Sequence, residues 1–372
     1  MPPNTMKFSN FLFPESRNPE GDFNVITEAL QEAELSDQLG YHAVWLAEHH
    51  FDGGCAYVDP VTFAAAIAAR TKNIKIGFAV AQMALHHPIR FAEQIALVDN
   101  ISNGRMIVGV GRGTAYNFYE FRGFGIDPNE AHERLLEVEE ILVEAWTTEN
   151  YKHEGKYWQV EIPVLRPQVF QKPHPPIIRA CSGLESTLEM ARNGRPFMMN
   201  IQSDQTTKER LDLYRGTMAQ AGYDDEAISH NVAQSWVWRN VFVADTDAEA
   251  EADGVPSFRA MRAYLSGNRQ RMNTVEELAA QTSAVTGATR DSVDHGLIYG
   301  SPETVCEKLQ PLRDIGVGGI IIHFRLGPMP WEAAEHSLRL FAEKVAPELG
   351  GPLSPSPTNK NDSLIPTLPG SA

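Results

Sequence analysis

The chain has 372 residues, a formal net charge of −16 at pH 7 and a hydrophobic content of 42%. This length suits one large α/β barrel or two ordinary domains, and the acidic balance argues against a nucleic-acid or anionic-membrane surface. Cys55, Cys181 and Cys306 have neither close pairing nor metal-ligand spacing, so we predict no disulfide framework or zinc site, and a reducing compartment.

No targeting segment is evident at the start of the chain. The run Met1-Pro2-Pro3-Asn4-Thr5 lacks the charged and apolar regions of a signal peptide. No apolar stretch reaches the length that spans a bilayer. We therefore expect a cytoplasmic protein.

Apolar strands alternate with amphipathic helices through the first third of the chain. Two of the helices open with a proline, Pro60 and Pro88, as is common at the first helical position. Short connections in a β-α-β order imply parallel strands and right-handed crossovers. The predicted strands are 7–13, 42–47, 74–80 and 106–110, and the predicted helices are 24–39, 60–70 and 88–101.

The alternation of strands and helices becomes less regular after residue 113 but continues. Residues 114–130 read as a loop, and 248–294 as a long polar insertion that could close over a site. The proline- and serine-rich segment 350–372 is predicted to be a disordered tail. We further predict a hairpin at 151–160, strands at 176–181, 197–201, 232–243 and 319–324, and helices at 131–146, 185–193, 207–221, 302–314 and 331–345.

About eight strands in this order predict one α/β domain, a (β/α)8 barrel over residues 1–349. In such barrels the chemistry sits where the strands end. The run Trp45-Leu46-Ala47-Glu48-His49-His50-Phe51 ends one strand with an acid and a histidine pair. A histidine can give or take a proton near neutral pH, so His49 is our first catalytic candidate. The alternative is a plain structural histidine at a strand end.

The neighbours of His49 have less certain roles. On an extended backbone His50 points the opposite way and is the more structural of the pair. Glu48 either orients one of the rings or forms an ion pair in the barrel core. Adjacent histidines on a strand diverge, which disfavours a metal site.

A second run, Gly109-Val110-Gly111-Arg112-Gly113, follows the strand at 106–110. Its third glycine comes one place too early for a dinucleotide-binding fingerprint. Small residues at a strand end instead let a planar ring or a phosphate approach the backbone, and Arg112 can bind that phosphate. The segment 182–186, between a strand and a helix, offers amides and serine hydroxyls to an anion, although Ser182 and Ser186 could equally be helix caps.

These runs, with Met6-Lys7-Phe8 and His87-Pro88-Ile89-Arg90, resemble the flavin-dependent monooxygenases of the bacterial luciferase type, in particular alkanal monooxygenase α chains. The similarity extends over nearly the whole predicted domain. The resemblance implies a (β/α)8 TIM barrel of that type with insertions. It also implies reduced FMN and O2 as co-substrates, a separate flavin reductase, and a dimer, expected to be a homodimer, formed through the small-sided helix at 63–69.

The resemblance assigns roles residue by residue. His49 matches the histidine linked to the flavin hydroperoxide step, and Ala79-Val80 aligns with a non-proline cis peptide under the flavin ring. Arg112 and Arg134 match phosphate-binding arginines, and 182–186 falls on the phosphate loop, although Cys181 stands where a glutamate is common. The predicted catalytic residues are Glu48, His49 and His50, and the predicted cofactor-binding residues are Ala79, Val80, Gly111, Arg112, Arg134, Ser182, Gly183 and Ser186.

We therefore predict a two-component FMNH2-dependent monooxygenase. It would act through a C4a-(hydro)peroxyflavin on a small apolar substrate such as an aldehyde or ketone. Aromatic residues that could line the substrate cavity are Tyr116, Phe118, Tyr119, Trp236 and Trp238. The alternatives are an F420-dependent oxidoreductase on the same barrel and a non-catalytic flavin-binding or partner subunit.

Overall fold

The alternating apolar and amphipathic segments fold into a closed parallel barrel surrounded by helices. The computed structural model describes residues 6–113, 116–279, 292–351 and 353. The strands are β1 (Lys7–Leu12), β2 (Ala43–Leu46), β3 (Lys75–Phe78), β4 (Ala81–Gln82), β5 (Met106–Gly111), β6 (Tyr151–Glu154), β7 (Gln159–Ile162), β8 (Ile177–Cys181), β9 (Phe197–Met199), β10 (Trp236–Val243), β11 (Leu297–Gly300) and β12 (Gly319–His323).

Helices connect successive strands and pack around them. The chain runs on from the last long helix through a π-helical turn at Phe341–Val345. The helices are α1 (Asp22–Leu39), α2 (Pro60–Arg70), α3 (Pro88–Ile101), α4 (Phe118–Gly123), α5 (Ala131–Thr147), α6 (Leu184–Arg192), α7 (Asp204–Gln220), α8 (Asp225–Ala233), α9 (Asp247–Met272), α10 (Val275–Ala279), α11 (Val293–Gly296), α12 (Pro302–Ile315), α13 (Trp331–Leu340) and α14 (Ala346–Leu349).

Eight of the described strands close the barrel in the order β12-β1-β2-β3-β5-β8-β9-β10, with β10 pairing back to β12. Every pairing in this ring is parallel. Parallel closure brings the carboxyl ends of the strands to one rim. The predicted α/β barrel is confirmed.

Local sequence signals explain where several helices begin and end. Pro60 opens α2, and the Asp59 carboxylate accepts hydrogen bonds from the backbone N–H groups of Val61 and Thr62 at 2.9 and 3.2 Å. Gly40 ends α1 with a φ of 82°, a left-handed conformation that glycine adopts without steric cost. Such caps place the strands that follow at fixed points of the barrel.

Tryptophans opposite glycines fill the barrel interior. Trp45 on β2 is in register with Gly77 on β3, and a Cβ at Gly77 would lie 2.5 Å from the Trp45 ring. Trp236 on β10 is in register with Gly319 on β12 in the same way. The two indoles meet edge to face with ring centroids 5.3 Å apart, so the interior is solid at this level and the open space lies nearer the rim.

The structure differs from the sequence predictions in the second half of the chain. The predicted loop at 114–130 contains α4, and the predicted strand at 232–243 starts only at Trp236, because the apolar residues before it end helix α8. The polar segment 248–294 contains the 26-residue helix α9. Residues 280–291, 352 and 354–372, with most of the predicted tail, lie outside the described residues.

The edge strand β11 was not predicted from the sequence. It pairs in parallel with β10 outside the closed ring. Four residues of mixed burial give too short a pattern to distinguish from a loop. Across the described ranges, the helices are too short or too polar to cross a membrane.

We expect Gly109→Ala to destabilise the fold strongly. A Cβ at Gly109 would lie 1.6 Å from the carbonyl oxygen of Phe78, a backbone atom that no rotamer change can move. Overpacking of this kind costs about 1–3 kcal/mol or more. Urea unfolding of Gly109→Ala measures the loss, and Gly216→Ala is the matched control.

Gly216 lies within helix α7, and a Cβ there would have open space around it. The control should therefore gain roughly 0.5–1 kcal/mol, the usual preference of a helix for alanine over glycine. Equal stability of the two variants would contradict the packing account of β5.

Candidate active site

A cleft opens where the barrel strands end, and it has two lobes whose linings share Phe11, Ala79, Val80, Gly113 and Trp238. The first, the Arg112 lobe, has a volume of about 200 Å³, and the second, the His49 lobe, about 160 Å³. The Arg112 lobe is lined by Phe11, Ala79, Val80, Gly111, Arg112, Gly113, Ala180, Cys181, Ser182, Met198, Met199, Asn200, Trp238 and Ile321. The His49 lobe is lined by Phe11, Phe13, Glu48, His49, Asp52, Ala79, Val80, Gln82, Gly113, Tyr116, Asn117, Trp238, Arg262, Leu265 and Arg269.

The Arg112 lobe has the features of an anion site. Arg112 is exposed at the end of β5, and no carboxylate of the described residues lies within ion-pair distance of it. Helix α6 starts at Leu184, just beyond the lining residue Ser182, and its N-cap residue Gly183 offers no side chain to its first amides. Unsatisfied helix amides and a free guanidinium both favour a negative charge.

Glycine at the end of β5 keeps this lobe open. A Cβ at Gly111 would lie 2.6 Å from the Val80 side chain, and one at Gly113 would lie 2.5 Å from Oε1 of Gln82. Ala79 and Val80, opposite, are joined by a cis peptide bond, as the resemblance implies. The backbones of β3 and β5 thus form bare walls on which a flat ring can lie.

Not every predicted cofactor-binding residue reaches the lobe. Ala79, Val80, Gly111, Arg112 and Ser182 line it. The hydroxyl of Ser186 instead donates to the carbonyl oxygen of Gly183 at 3.0 Å, within the first turn of α6. Gly183 itself is the N-cap residue of α6 and is not part of the lining.

Arg134 also lies outside the lining of both lobes. Its guanidinium pairs with Glu130 at 2.9 Å and lies 4.4 Å from the centre of the Tyr157 ring. An intrahelical ion pair and an aromatic contact therefore account for Arg134 in this structure. Its predicted role in phosphate binding stays a prediction.

His49 lines the other lobe and is held by a buried acid that the sequence analysis did not identify. Its Nδ1 lies 2.9 Å from Oε1 of Glu120, whose side chain is fully buried. The same carboxylate accepts hydrogen bonds from the His50 backbone N–H at 3.1 Å and from Nε2 of Gln82 at 3.0 Å. With Nδ1 directed at Glu120, Nε2 is the nitrogen of His49 that a bound molecule can reach.

The Glu120 carboxylate also sets the charge of His49. Burial alone would lower the pKa of the imidazole, but the charge of Glu120 and its hydrogen bond outweigh it and raise the pKa to about 9. For Glu120 itself, burial raises the pKa, and the charge of His49 with the surrounding donors brings it below its ordinary value. At neutral pH the lobe therefore contains a protonated imidazole next to an ionised carboxylate.

Glu48 and His50 form a separate cluster with His86. Nε2 of His50 and Nε2 of His86 lie 3.1 and 2.9 Å from Oε1 of Glu48. Burial would raise the pKa of Glu48, but the neighbouring His86 and the hydrogen bonds lower it to about 2. His50 packs edge to face on Phe124, whereas His49 packs on Phe13, so the two rings have different aromatic neighbours. Across the described ranges, no group of three or more histidine, cysteine or acidic residues has the arrangement of a metal site.

Helix α9 covers the His49 lobe. Arg262, Leu265 and Arg269 on its second half belong to the lining. The helix is fixed to the loop after β2, because the Tyr264 hydroxyl and the Asn268 amide donate to the carbonyl oxygen of Asp52 at 2.9 and 2.8 Å. The described part of the predicted insertion is thus one wall of the site.

Two of the five aromatic residues that the sequence analysis named for the substrate cavity line the cleft. Tyr116 and Trp238 line the His49 lobe. Trp236 lies deeper in the barrel, and the Tyr119 hydroxyl donates to Oδ2 of Asp52 at 2.8 Å. Phe118, at the start of α4, is not part of either lining.

Comparisons with known proteins agree with this geometry. Residues 6–318 match the family model described as "Luciferase-like monooxygenase". The oxygenase component of flavin-dependent trigonelline monooxygenase from Acinetobacter baylyi is 27% identical, with 92% of this chain and 95% of that protein covered. The crystal structure of monooxygenase RslO1 from Streptomyces bottropensis has a TM-score of 0.77 at 30% identity, covering 92% of this chain and 99% of that one.

More distant solved structures share the fold. The oxygenating constituent of 3,6-diketocamphane monooxygenase from Pseudomonas putida, in complex with FMN, has a TM-score of 0.74 at 20% identity, covering 92% of this chain and 99% of that one. An F420-dependent secondary alcohol dehydrogenase has a TM-score of 0.71 at 16% identity, covering 93% and 99%. At these identities the likeness concerns the fold alone.

We expect Glu120→Gln to lower the pKa of His49 substantially from about 9, because only the weaker charge effects of Asp52 and Tyr116 then oppose the effect of burial. An NMR titration of the imidazole nitrogens measures the change. In the wild-type protein the raised pKa of His49 contributes stability that is fully present below about pH 6.5 and is lost as the pH rises through about 9. The lowered pKa of Glu120 sets the acid limit, because its contribution is lost when the carboxylate is protonated.

Glu137→Gln is the matched control. The Glu137 carboxylate lies 3.2 Å from Nε2 of His153, outside the cleft, so its loss should leave the titration of His49 unchanged. If the pKa of His49 stayed near 9 in Glu120→Gln, Glu120 would not be the group that raises it.

Proposed function

Because this chain belongs to the luciferase-like monooxygenase family, we propose that it is the FMNH2-dependent oxygenase component of a two-component system. The observation that carries the proposal is the cleft, in which Arg112 lines one lobe, His49 lines the other, and the residues that follow β3 and end β5 lie between them. A separate flavin reductase would supply the reduced cofactor. The Acinetobacter baylyi relative is named an oxygenase component, which supports a separate reductase.

The residues of the Arg112 lobe fit FMN. Arg112, Ser182 and the first amides of α6 would hold the phosphate, and the walls at Ala79-Val80 and Gly111 leave room for the flavin ring. The Acinetobacter baylyi relative is named a flavin-dependent monooxygenase, which supports a flavin over a deazaflavin. When bound, reduced FMN supplies the two electrons with which O2 gives one oxygen atom to the substrate and one to water.

Residues of the His49 lobe would manage the proton and exclude water. At neutral pH, His49 carries the proton on Nε2 that Glu120 stabilises, so it can donate to an oxygen atom in the lobe. Phe11, Phe13 and Trp238 supply an apolar wall, and helix α9 covers the opening. This arrangement suits a small carbonyl compound, an aldehyde or ketone with an apolar body.

The apolar surface of α2 and α3 supports the proposed homodimer. Ala65 and Ala66 on α2 are half-buried, and Leu97 and Ile101 on α3 are 51% and 44% exposed. A face of small residues beside exposed aliphatic side chains lets helices from a second subunit approach closely. The reductase and the substrate would then bind elsewhere on each subunit.

We expect Arg112→Gln to weaken FMN binding about 10- to 100-fold, the usual contribution of a charge-assisted phosphate contact. Quenching of FMN fluorescence on titration with protein measures the dissociation constant. Arg134→Gln is the comparison variant, and its effect should be smaller because Arg134 is already paired with Glu130 and Tyr157. If Arg134→Gln weakened FMN binding as much as Arg112→Gln, Arg134 would also be a phosphate ligand.

The proposed reaction is tested by mixing the anaerobic protein and FMNH2 with oxygenated buffer in a stopped-flow spectrometer. We expect reoxidation that is slow compared with free FMNH2, through an absorbing species distinct from reduced and oxidised FMN. With a reductase and a panel of aldehydes and ketones, His49→Gln should turn over at least about 100-fold more slowly than the wild type. His153→Gln, the control, alters a histidine–carboxylate pair outside the cleft.

The other outcomes separate the alternatives. Immediate reoxidation to FMN and hydrogen peroxide would contradict the oxygenase proposal. Oxygen-independent reduction of F420 by an alcohol would identify the deazaflavin enzyme instead. Flavin binding without substrate loss would identify a non-catalytic subunit.

A further inference from the structure

We propose that Arg269 forms an anion subsite in the His49 lobe, and that the substrate is a small carbonyl compound that carries a carboxylate. This inference rests on the proposed function, because it takes the His49 lobe as the substrate site. It replaces a wholly apolar substrate by one with an apolar body and an acidic end.

The walls of the His49 lobe differ in polarity. One side is aromatic: the Phe11 and Trp238 ring centroids lie 5.0 Å apart, and Phe13 meets the His49 ring edge to face at 5.5 Å. The other side contains Gln82, Asn117 and Arg269. Among the described residues, Oε1 of Gln82 has no hydrogen-bond partner, and only Nε of Arg269 is given one, by Asn117. A hydrocarbon would leave the remaining polar atoms unpaired, which is costly.

Arg269 is positioned by neutral groups. Its Nε donates to Oδ1 of Asn117 at 3.1 Å, and its guanidinium carbon lies 4.0 Å from the centre of the Tyr116 ring. In the part of the chain that the structure describes, no carboxylate lies within ion-pair distance of Arg269. Three arginines that are more deeply buried do have such partners: Arg179 pairs with Glu139, Arg239 with Asp204 and Arg325 with Glu28. The half-buried Arg105 has none among the described residues, but its guanidinium donates to the hydroxyl of Thr71 and to backbone carbonyl oxygens.

The acids of the lobe are engaged by other donors. Asp52 accepts hydrogen bonds from the Tyr119 hydroxyl at 2.8 Å and from the Gly54 backbone N–H at 2.7 Å. Glu120 is engaged by His49 and its neighbours, and Glu48 by His50 and His86. None of these three carboxylates lies within ion-pair distance of Arg269, so its guanidinium is available to a carboxylate that enters the lobe.

The spacing of His49 and Arg269 determines how far the carboxylate of an entering molecule can lie from its reacting carbonyl. Asn117 lies between the two cations, with its Nδ2 3.4 Å from Nδ1 of His49 and its Oδ1 3.1 Å from Nε of Arg269. A carboxylate on Arg269 thus lies one side chain away from His49, which would face the reacting carbonyl. A guanidinium binds a carboxylate through parallel N–H donors, and this fixes direction as well as position.

Benzoate and benzamide test the subsite, because they share size and shape and differ in charge. Isothermal titration calorimetry of the full-length protein, with and without saturating FMN, measures both affinities. We expect benzoate to bind at least 10-fold more tightly than benzamide. Arg269→Gln should abolish this preference and leave benzamide binding unchanged, and Arg269→Lys should retain part of it.

Arg122→Gln is the matched control for loosening of helix α9. Arg122 holds the end of α9 through the carbonyl oxygen of Met272 at 2.6 Å and pairs with Glu277 at 2.5 Å, and it does not line the lobe. This variant should keep the preference for benzoate. Far-ultraviolet circular dichroism of all the variants checks that they are folded.

Two results would overturn the proposal. Equal affinities of benzoate and benzamide in the wild type would mean that the lobe does not select an anion. An Arg269→Gln variant that loses both ligands equally, or neither, would mean that Arg269 only packs against Tyr116. Failure to bind FMN would instead count against the proposed function, and the measurements without FMN keep the two questions apart.

Discussion

The site depends on the burial of one ionised carboxylate. Glu120 is removed from water, and its charge is balanced by His49 and by donors from β4 and from the segments that follow β2 and β5. A buried carboxylate without such partners costs several kcal/mol, so the segments must meet correctly for the fold to keep it ionised. The same interaction that joins the rim loops thus fixes the orientation and charge of the candidate catalytic histidine.

The barrel below supplies a rigid base for this network. Tryptophans on β2 and β10 fill the interior only because the neighbouring strands carry glycine at the same level. The volume that remains lies nearer the rim, between the bare backbones that end β3 and β5. Packing in the interior therefore decides where a ligand can bind, and the rim residues decide which ligand.

The sequence predicted the parts of the structure that depend on local patterns. Helices α2 and α3 begin and end where predicted, because proline and the capping groups are visible in the sequence. Helix α8 was missed because the apolar residue Val232 runs on almost directly into β10. The cis bond at Ala79-Val80 followed from the family resemblance, since no local pattern indicates it.

The site was predictable only where a strand ends in a chemically distinctive residue. His49 and Arg112 meet that condition, and both line the cleft. Glu120 does not, because it lies on a short helix in an aromatic segment read as a loop, and its partner His49 is 71 positions away. The one signal was an isolated acid among aromatic residues, Phe118-Tyr119-Glu120-Phe121. Arg134 was predicted from the family resemblance, but in this structure it contacts Glu130 and Tyr157 and does not line the cleft.

The shared wall of the two lobes has a thermodynamic consequence. Phe11, Val80 and Trp238 face both lobes, so a molecule in one lobe alters the surface that a molecule in the other contacts. Linkage then requires reciprocity: the factor by which an occupant of the Arg112 lobe changes affinity in the His49 lobe equals the factor in the opposite direction. We therefore expect cofactor exchange and substrate retention to be coupled through this shared wall.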